Sequence, residues 1–467
     1  MTQFQKVVIM LKKLSSLQEY EWIYQTFSNA HKQSFGEIPR QTVKWFVPPR
    51  FESYIKILHP LDTGDTYKKL AEKFGETYDK TITPGTFEPH LYEKDINLHP
   101  ELGRKTYSRL VETLAPFTKD PCYFYFSDYD NPVPESLYLG PLQDAVPLFD
   151  KNQGTAPIYW WPEDRSWIVH NQAFRSYTIF AGPRALAEKI LSADNLEAFE
   201  IDENFNMSGG GDFTFKSHFN HIPLERIKDG EPYEWIDREL RAVHLKNYGK
   251  TSSLTVENII PPVYEGYLKI MQPIHKDKYI TDETSLYKDC DPDKISLHHG
   301  EKMTYKEAAE KYSLVYNKEI SMGTFLRQFE DDSLPRYLIF PQDGSLEKDI
   351  VKKLLDALHP HTKTTCYFYY DLLSLPGEEM IFRGNLHDVL TLCREDNAGA
   401  SPKYWWPADR SWVIYTDYDL EYSFIGASKE VIKELSSLSD LETFEVEKDT
   451  GISYDADIHL NPGKPNH

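Results

Sequence analysis

The amino-acid sequence predicts an α+β protein made of two tandem homologous domains, each a mostly antiparallel sheet with helices packed on one face. Three observations carry this expectation. Blocks of sequence recur in colinear order, which marks a duplicated unit. Apolar, β-rich runs follow one another across short turns, which favours antiparallel pairing. Neither a βαβ alternation nor a GxGxxG loop argues for a doubly wound nucleotide fold. At 467 residues the chain is also too long for one core and suits two domains.

The repeat sets the boundaries. YEWI at Tyr20 recurs at Tyr233, an offset of 233 − 20 = 213, and PPRFESYIKILHP from Pro48 meets PPVYEGYLKIMQP from Pro261. TYKKLAEKF from Thr66 then meets TYKEAAEKY from Thr304, and TKDPCYFYF from Thr118 meets TKTTCYFYY from Thr362. YWWPEDRSW from Tyr159 matches YWWPADRSW from Tyr404, and the match runs ungapped to Glu200 and Glu445 with 14 identities in 42 pairs. The copies span 18–203 and 231–448, a linker at 204–230 contains Gly209–Gly211, and 449–467 is expected to be a flexible tail. The second copy carries an additional charged segment near 275–300, with Cys290 and His298–His299, expected to be a surface loop.

Within each copy the elements follow in order. Trp22–Phe35 and Trp235–Tyr248 have helical apolar spacing and end at a glycine. Tyr54–Leu58 and Tyr267–Met271 alternate as strands, and the blocks after Thr66 and Thr304 are short amphipathic helices. Leu346–Leu358 is a helix with Ser345 as its N-cap, and Cys366–Tyr370 and Met380–Phe382 are β-rich. Ser411–Tyr415 and Glu421–Ile425 form a hairpin, Ser428 caps a helix through Leu435, and Thr443–Val446 returns as a strand.

Composition narrows the function. Lys and Arg number 52 against 73 Asp and Glu, a net charge of −21. That field repels phosphate backbones and disfavours nucleic acid, while speeding association with a basic protein. No run spans a membrane, and the apolar stretch Val7–Leu11 is too short for a signal-peptide core, so a cytoplasmic location is expected. Cys122, Cys290, Cys366 and Cys393 read as reduced thiols. The 31 tyrosines suit strands with one wet face, or a binding surface.

One motif invites chemistry. In WWPxDRSW, Asp164–Arg165 and Asp409–Arg410 could place a carboxylate and a guanidinium beside Trp160, Trp161, Trp405 and Trp406 to hold an anionic or planar ligand. The same residues also make a structural turn into a strand. Asp417, Tyr418 and Asp419 form an acidic cluster where the first copy has Gln172, Ala173 and Phe174, so a carboxylate site could survive only in the second copy. The spacing of His218, His221, His298 and His299 lacks the Cys or HExxH partners of a metal site, and no metal or other cofactor is expected.

With these motifs the chain resembles an uncharacterised bacterial protein family whose members carry one such unit. In that family PP-x-F…Y…-x-LHP stands near the start and WWP-x-DR-x-W…DLD near the end. The resemblance covers both copies and implies a bacterial source, but no reaction or residue role. This chain departs from it in being duplicated and in lacking the acidic pair after Trp167. The expected function is an intracellular binding protein of the immunity type that neutralises a basic toxin or nuclease. The alternatives are an enzyme using Asp409, Arg410, Asp417 and Asp419, or a structural scaffold.

Overall fold

The computed structural model describes residues 11–33, 42–61, 64–90, 101–127, 135–171, 175–207, 222–249, 254–290, 295–329, 331, 333–341, 346–371, 379–394, 400–417 and 419–463. Gly209–Gly211, His218, His221, Ser345, Tyr418, Gln172, Ala173 and Phe174 lie outside the described residues. The described residues up to Met207 form one compact unit and those from Ile222 a second. Both are antiparallel α+β domains, as the strand pattern predicts.

The first unit contains β1 (Lys12–Lys13), β2 (Ser53–Leu58), β3 (Cys122–Phe126), β4 (Ser136–Gly140), β5 (Tyr159–Pro162), β6 (Ile168–His170), β7 (Tyr177–Gly182) and β8 (Ala198–Ile201). Its helices are α1 (Glu21–Gln33), α2 (Val43–Phe46), α3 (Tyr67–Phe74), α4 (Arg104–Leu114), α5 (Ala145–Lys151) and α6 (Arg184–Leu191). The second unit contains β9 (Glu225–Ile227), β10 (Gly266–Met271), β11 (Ile274–Asp277), β12 (His299–Met303), β13 (Leu338–Ile339), β14 (Cys366–Tyr370), β15 (Met380–Gly384), β16 (Tyr404–Pro407), β17 (Trp412–Thr416), β18 (Tyr422–Ala427) and β19 (Thr443–Val446). Its helices are α7 (Glu234–Asn247), α8 (Tyr305–Lys311), α9 (Met322–Leu326), α10 (Lys348–Leu358), α11 (Val389–Leu392) and α12 (Lys429–Ser436).

The two large sheets have one topology. The first runs β1-β4-β3-β5-β6-β7-β2-β8 and the second β9-β15-β14-β16-β17-β18-β10-β19, with matching strands in matching places. The pairing register repeats too. Trp161 opposes Tyr123 as Trp406 opposes Tyr367, and Ser53 opposes Gly182 as Gly266 opposes Ala427. Short edge strands also correspond, since Lys12 and Glu225 keep the offset of 213. At the other end, an isolated bridge ties Thr42 to Asn206 and Thr255 to Gly451. Tyr177 donates to the Met207 carbonyl and Tyr422 to that of Ile452. Each copy is therefore longer than the sequence match suggests, and part of the expected linker is a strand.

Helices cover both faces of the sheet, not one. In the second unit α10, α11 and α12 pack over one face with Phe368, Trp405 and Ile425. The other face, with Tyr369, Trp406 and Phe424, lies under α7, α8 and α9. The physical reason for the difference is tyrosine. Ring-bearing strands read as half-wet, yet here the rings fill a second core and the hydroxyls bond the chain that covers them. Tyr159 donates to the Phe46 carbonyl (3.0 Å), Tyr404 to that of Ile259 (2.5 Å), and Tyr54 and Tyr267 to Pro48 and Pro261 (3.4 and 3.3 Å).

Two further expectations change. The segment near 275–300 is not merely a loop: β11 pairs with β12 and β13 in a separate three-stranded sheet. Its inward residues Ile274, Met303 and Leu338 are buried, but the charge on the outward ones hid the alternation. The expected tail is packed down as far as Asn461. Asp457 is fully buried and accepts from Thr324 (2.8 Å), Asn461 (2.8 Å) and the Arg327 guanidinium. A Cβ at Gly323, in the GTF shared with Gly85, would collide with the Tyr454 carbonyl. Replacing Asp457 with Ala leaves Arg327 without this carboxylate and should cost about 2 kcal/mol. Limited proteolysis should then show new cleavage within 453–463; an unchanged digest and unfolding midpoint would mean the docking contributes nothing.

Candidate functional site

The WWPxDRSW segment is a corner between two strands. Adjacent tryptophans alternate across the sheet. Trp160 meets Tyr107 (5.1 Å) and Trp167 (6.0 Å) on one face, while Trp161 meets Tyr123 (5.3 Å) and Trp22 (6.1 Å) on the other. Trp160, Trp161, Trp405 and Trp406 are at most 1% exposed, so none offers a ring to a ligand.

The turn that follows uses the polar pair locally. Asp164 accepts from the Ser166 amide (2.9 Å) and Asp409 from that of Ser411 (3.0 Å). Arg165 and Arg410 sit at φ +54° and +59°, each closing the turn through its amide to the preceding proline carbonyl at 2.8 Å. Their guanidinium groups lie over Trp22 (5.2 Å) and Trp235 (5.1 Å). The carboxylate partner of Arg165 is Glu19 at 3.2 Å, and Asp164 serves the turn instead. The motif therefore builds a corner in both copies.

Asp417 and Asp419 stand at the far end of β17, separated from Asp409 and Arg410 by the strand's full length, roughly 13 Å of extended chain. The four residues of the enzyme alternative thus do not share one pocket. Asp417 instead belongs to a buried ionic cluster. Lys403 Nζ lies 2.5 Å from Asp371 and 3.3 Å from Asp417, and Tyr415 donates to Asp417. Asp417 also accepts from the Asp419 amide (3.0 Å). Burial alone would lower the Lys403 pKa, but Asp371 and Asp417 outweigh it and raise it above its ordinary value.

Sequence reasoning missed arrangements that both copies share. Tyr20 stacks on Tyr125 at 4.0 Å and Tyr233 on Tyr369 at 4.1 Å. Tyr125 donates to Glu135 (2.7 Å), as Tyr369 does to Glu379. Lys56 and Lys269 point inward from the equivalent strands β2 and β10. Lys56 donates to the Lys80 and Ile82 carbonyls (2.9 and 2.8 Å), and Lys269 to those of Lys318 and Ile320 (3.4 and 2.6 Å). Burial depresses their pKa values to about 7 and about 8. The signal was present: a lysine stands inside an otherwise apolar strand, SYIKIL and GYLKIM, in each copy.

The remaining candidates resolve as structural. His298 packs edge-on against Tyr279 (4.6 Å), and His299 against His275 (4.8 Å), whose Nε2 lies 2.6 Å from Glu347. Among the described residues no group of three His, Cys, Asp or Glu side chains could hold a metal ion. Burial pushes the Cys366 thiol up to about 12 and raises that of Cys122, so neither suits a nucleophile. No helix among the described residues is long and apolar enough to cross a membrane.

A cleft of about 480 Å³ opens in the second unit between the start of α8, α10 and the 439–442 turn. Glu442 at its base accepts from the Tyr305 and Lys306 amides (2.8 and 2.9 Å) and from Tyr316 (2.9 Å). Burial raises its pKa in spite of these three bonds. Glu197 makes the same clamp on Tyr67, Lys68 and Tyr78 in the first unit. Compared with protein-family models, curated proteins and solved structures, the chain matches none.

Proposed function

We propose that the chain is a cytoplasmic binding protein that captures a basic protein partner, in the manner of an immunity protein neutralising a toxin or nuclease. The observation that carries this reading is the distribution of charge. Residues 1–214 hold 22 Lys and Arg against 29 Asp and Glu, a net of −7; residues 215–467 hold 30 against 44, a net of −14. The second unit is therefore the principal acidic surface. Among the described residues, the WWPxDRSW turns and the Asp417 cluster make their polar contacts within their own chain.

The experiment is capture of partners by the full chain at low and high salt, followed by stopped-flow association with the protein recovered. A stoichiometric basic partner should associate at least about tenfold faster at low salt, because steering between opposite charges is screened. A rate independent of salt would sink electrostatic recognition. Capture by residues 1–207 alone, equal to that by the whole chain, would remove the second unit from the proposal.

A further inference from the structure

We propose that the cleft beside α8 binds a small amphipathic carboxylate, an aliphatic or arylalkyl acid, with its apolar body on the cleft floor and its carboxylate at Lys306. The cavity, about 480 Å³, falls in the range of small-molecule sites. Its floor is apolar, built from Met271, Met303, Ile350 and Leu441, and all four are buried. Two methionines give such a floor the capacity to adapt to chains of different shape.

The charge around the opening decides which head group fits. Every carboxylate lining the cleft is already engaged. Glu442 holds the three donors described above, and Glu307 closes the α8 cap by accepting from the Thr304 amide (2.8 Å) and hydroxyl (3.0 Å). Asp440 faces Lys353 at 3.0 Å, and Asp349 lies 3.6 Å from Lys352 and 3.9 Å from Lys302. Of the lining lysines, Lys302 is held by Glu347 at 2.6 Å and Lys353 by Asp440. Lys306 has no carboxylate partner among the described residues. An incoming carboxylate meets at Lys306 an ammonium that no carboxylate among the described residues already holds.

The first copy shows that these features are particular to the second. Met303 corresponds to Asp65, Ile350 to Thr106 and Lys302 to Gly64, so the equivalent surface has a carboxylate where the cleft has an apolar floor. Lys306 has a counterpart in Lys68. The first copy therefore serves as an internal control within the same chain.

The test is titration of the full chain with octanoate, followed by calorimetry and by the methyl NMR signals of Met271 and Met303. One octanoate per chain is expected, with a Kd of about 1 mM or tighter, and both methyl signals should move. Lys306→Glu should weaken binding at least about tenfold, while Lys68→Glu leaves it unchanged. Met303→Asp with Ile350→Thr, the residues of the first copy, should abolish it. In the first unit Asp65 lies in irregular chain and Thr106 on α4, so a retained thermal transition is the check that the double variant folds. Absence of octanoate binding overturns the proposal. So does equal affinity for octanol or octylamine, or binding indifferent to Lys306→Glu. Capture of a basic partner does not depend on this cleft, so either reading can fail while the other stands.

Discussion

Replacing Lys403 with isoleucine should destabilise the second unit by roughly 3 kcal/mol or more, the cost of breaking a buried ion pair and leaving its acids uncompensated. Asp371 and Asp417 would then face each other across Tyr415 with side chains only 15% and 11% exposed. In sequence, Ser127, Ile158, His170 and Gln172 of the first copy align with Asp371, Lys403, Tyr415 and Asp417, so it carries neither the lysine nor the two acids. Installing all four in the second unit should restore stability to within about 1 kcal/mol of the original, since a whole ionic group exchanged for a compatible neutral one costs little. Urea denaturation of the single and quadruple variants measures this. A quadruple variant as unstable as Lys403→Ile would show that the charges stabilise the fold in their own right.

Stability should rise between pH 7 and pH 9, at up to about 1.4 kcal/mol per pH unit for each buried lysine. An unfolded lysine keeps its proton to near its ordinary value of 10.5, whereas folded Lys56 releases it near 7 and folded Lys269 near 8. The unfolded chain thus binds more protons across that window, and folding gains as pH rises through it. The neutral amine keeps two hydrogens, enough for both carbonyls that each lysine serves. Asp79 opposes the shift at Lys56; Glu421, Asp457, Glu319 and Glu442 oppose it at Lys269. Above about pH 9 the slope should reverse. Burial raises the folded Cys122, Cys366 and Tyr177 pKa values, so there it is the unfolded state that releases protons. Thermal unfolding at fixed salt checks the curve. The Lys56→Met and Lys269→Met double variant should be flat from pH 7 to 9, and an unaltered slope would place its origin elsewhere.

Most element positions were legible because the chain states its pattern twice. The helix after Thr66 and Thr304, the strand at Thr443–Val446 and the cap at Ser428 coincide with the structure. What escaped was any feature whose partners lie far apart in sequence. Tyr159 reads as a strand residue, but nothing local says that its hydroxyl meets Phe46, 113 residues away. Asp457 looks like part of a polar end until Arg327 and Thr324 are brought beside it. The candidate site suffered from the same limit. Asp409 and Asp417 are close along the chain, yet a strand holds them apart, while Lys306 and Leu441 meet across a cleft that spacing could not show.

The matched order of the two sheets has a bearing on how the chain is made. Every strand of the first sheet lies before residue 202, and the second sheet begins at Glu225. A ribosome working from the N-terminus therefore completes one sheet before a duplicate of any of its strands emerges. Refolding from denaturant has no such order. Two nearly identical YWWP segments and two CYFY segments would then compete for the same slots. Synthesis from the N-terminus would keep the duplicate strands apart until the first set has been placed.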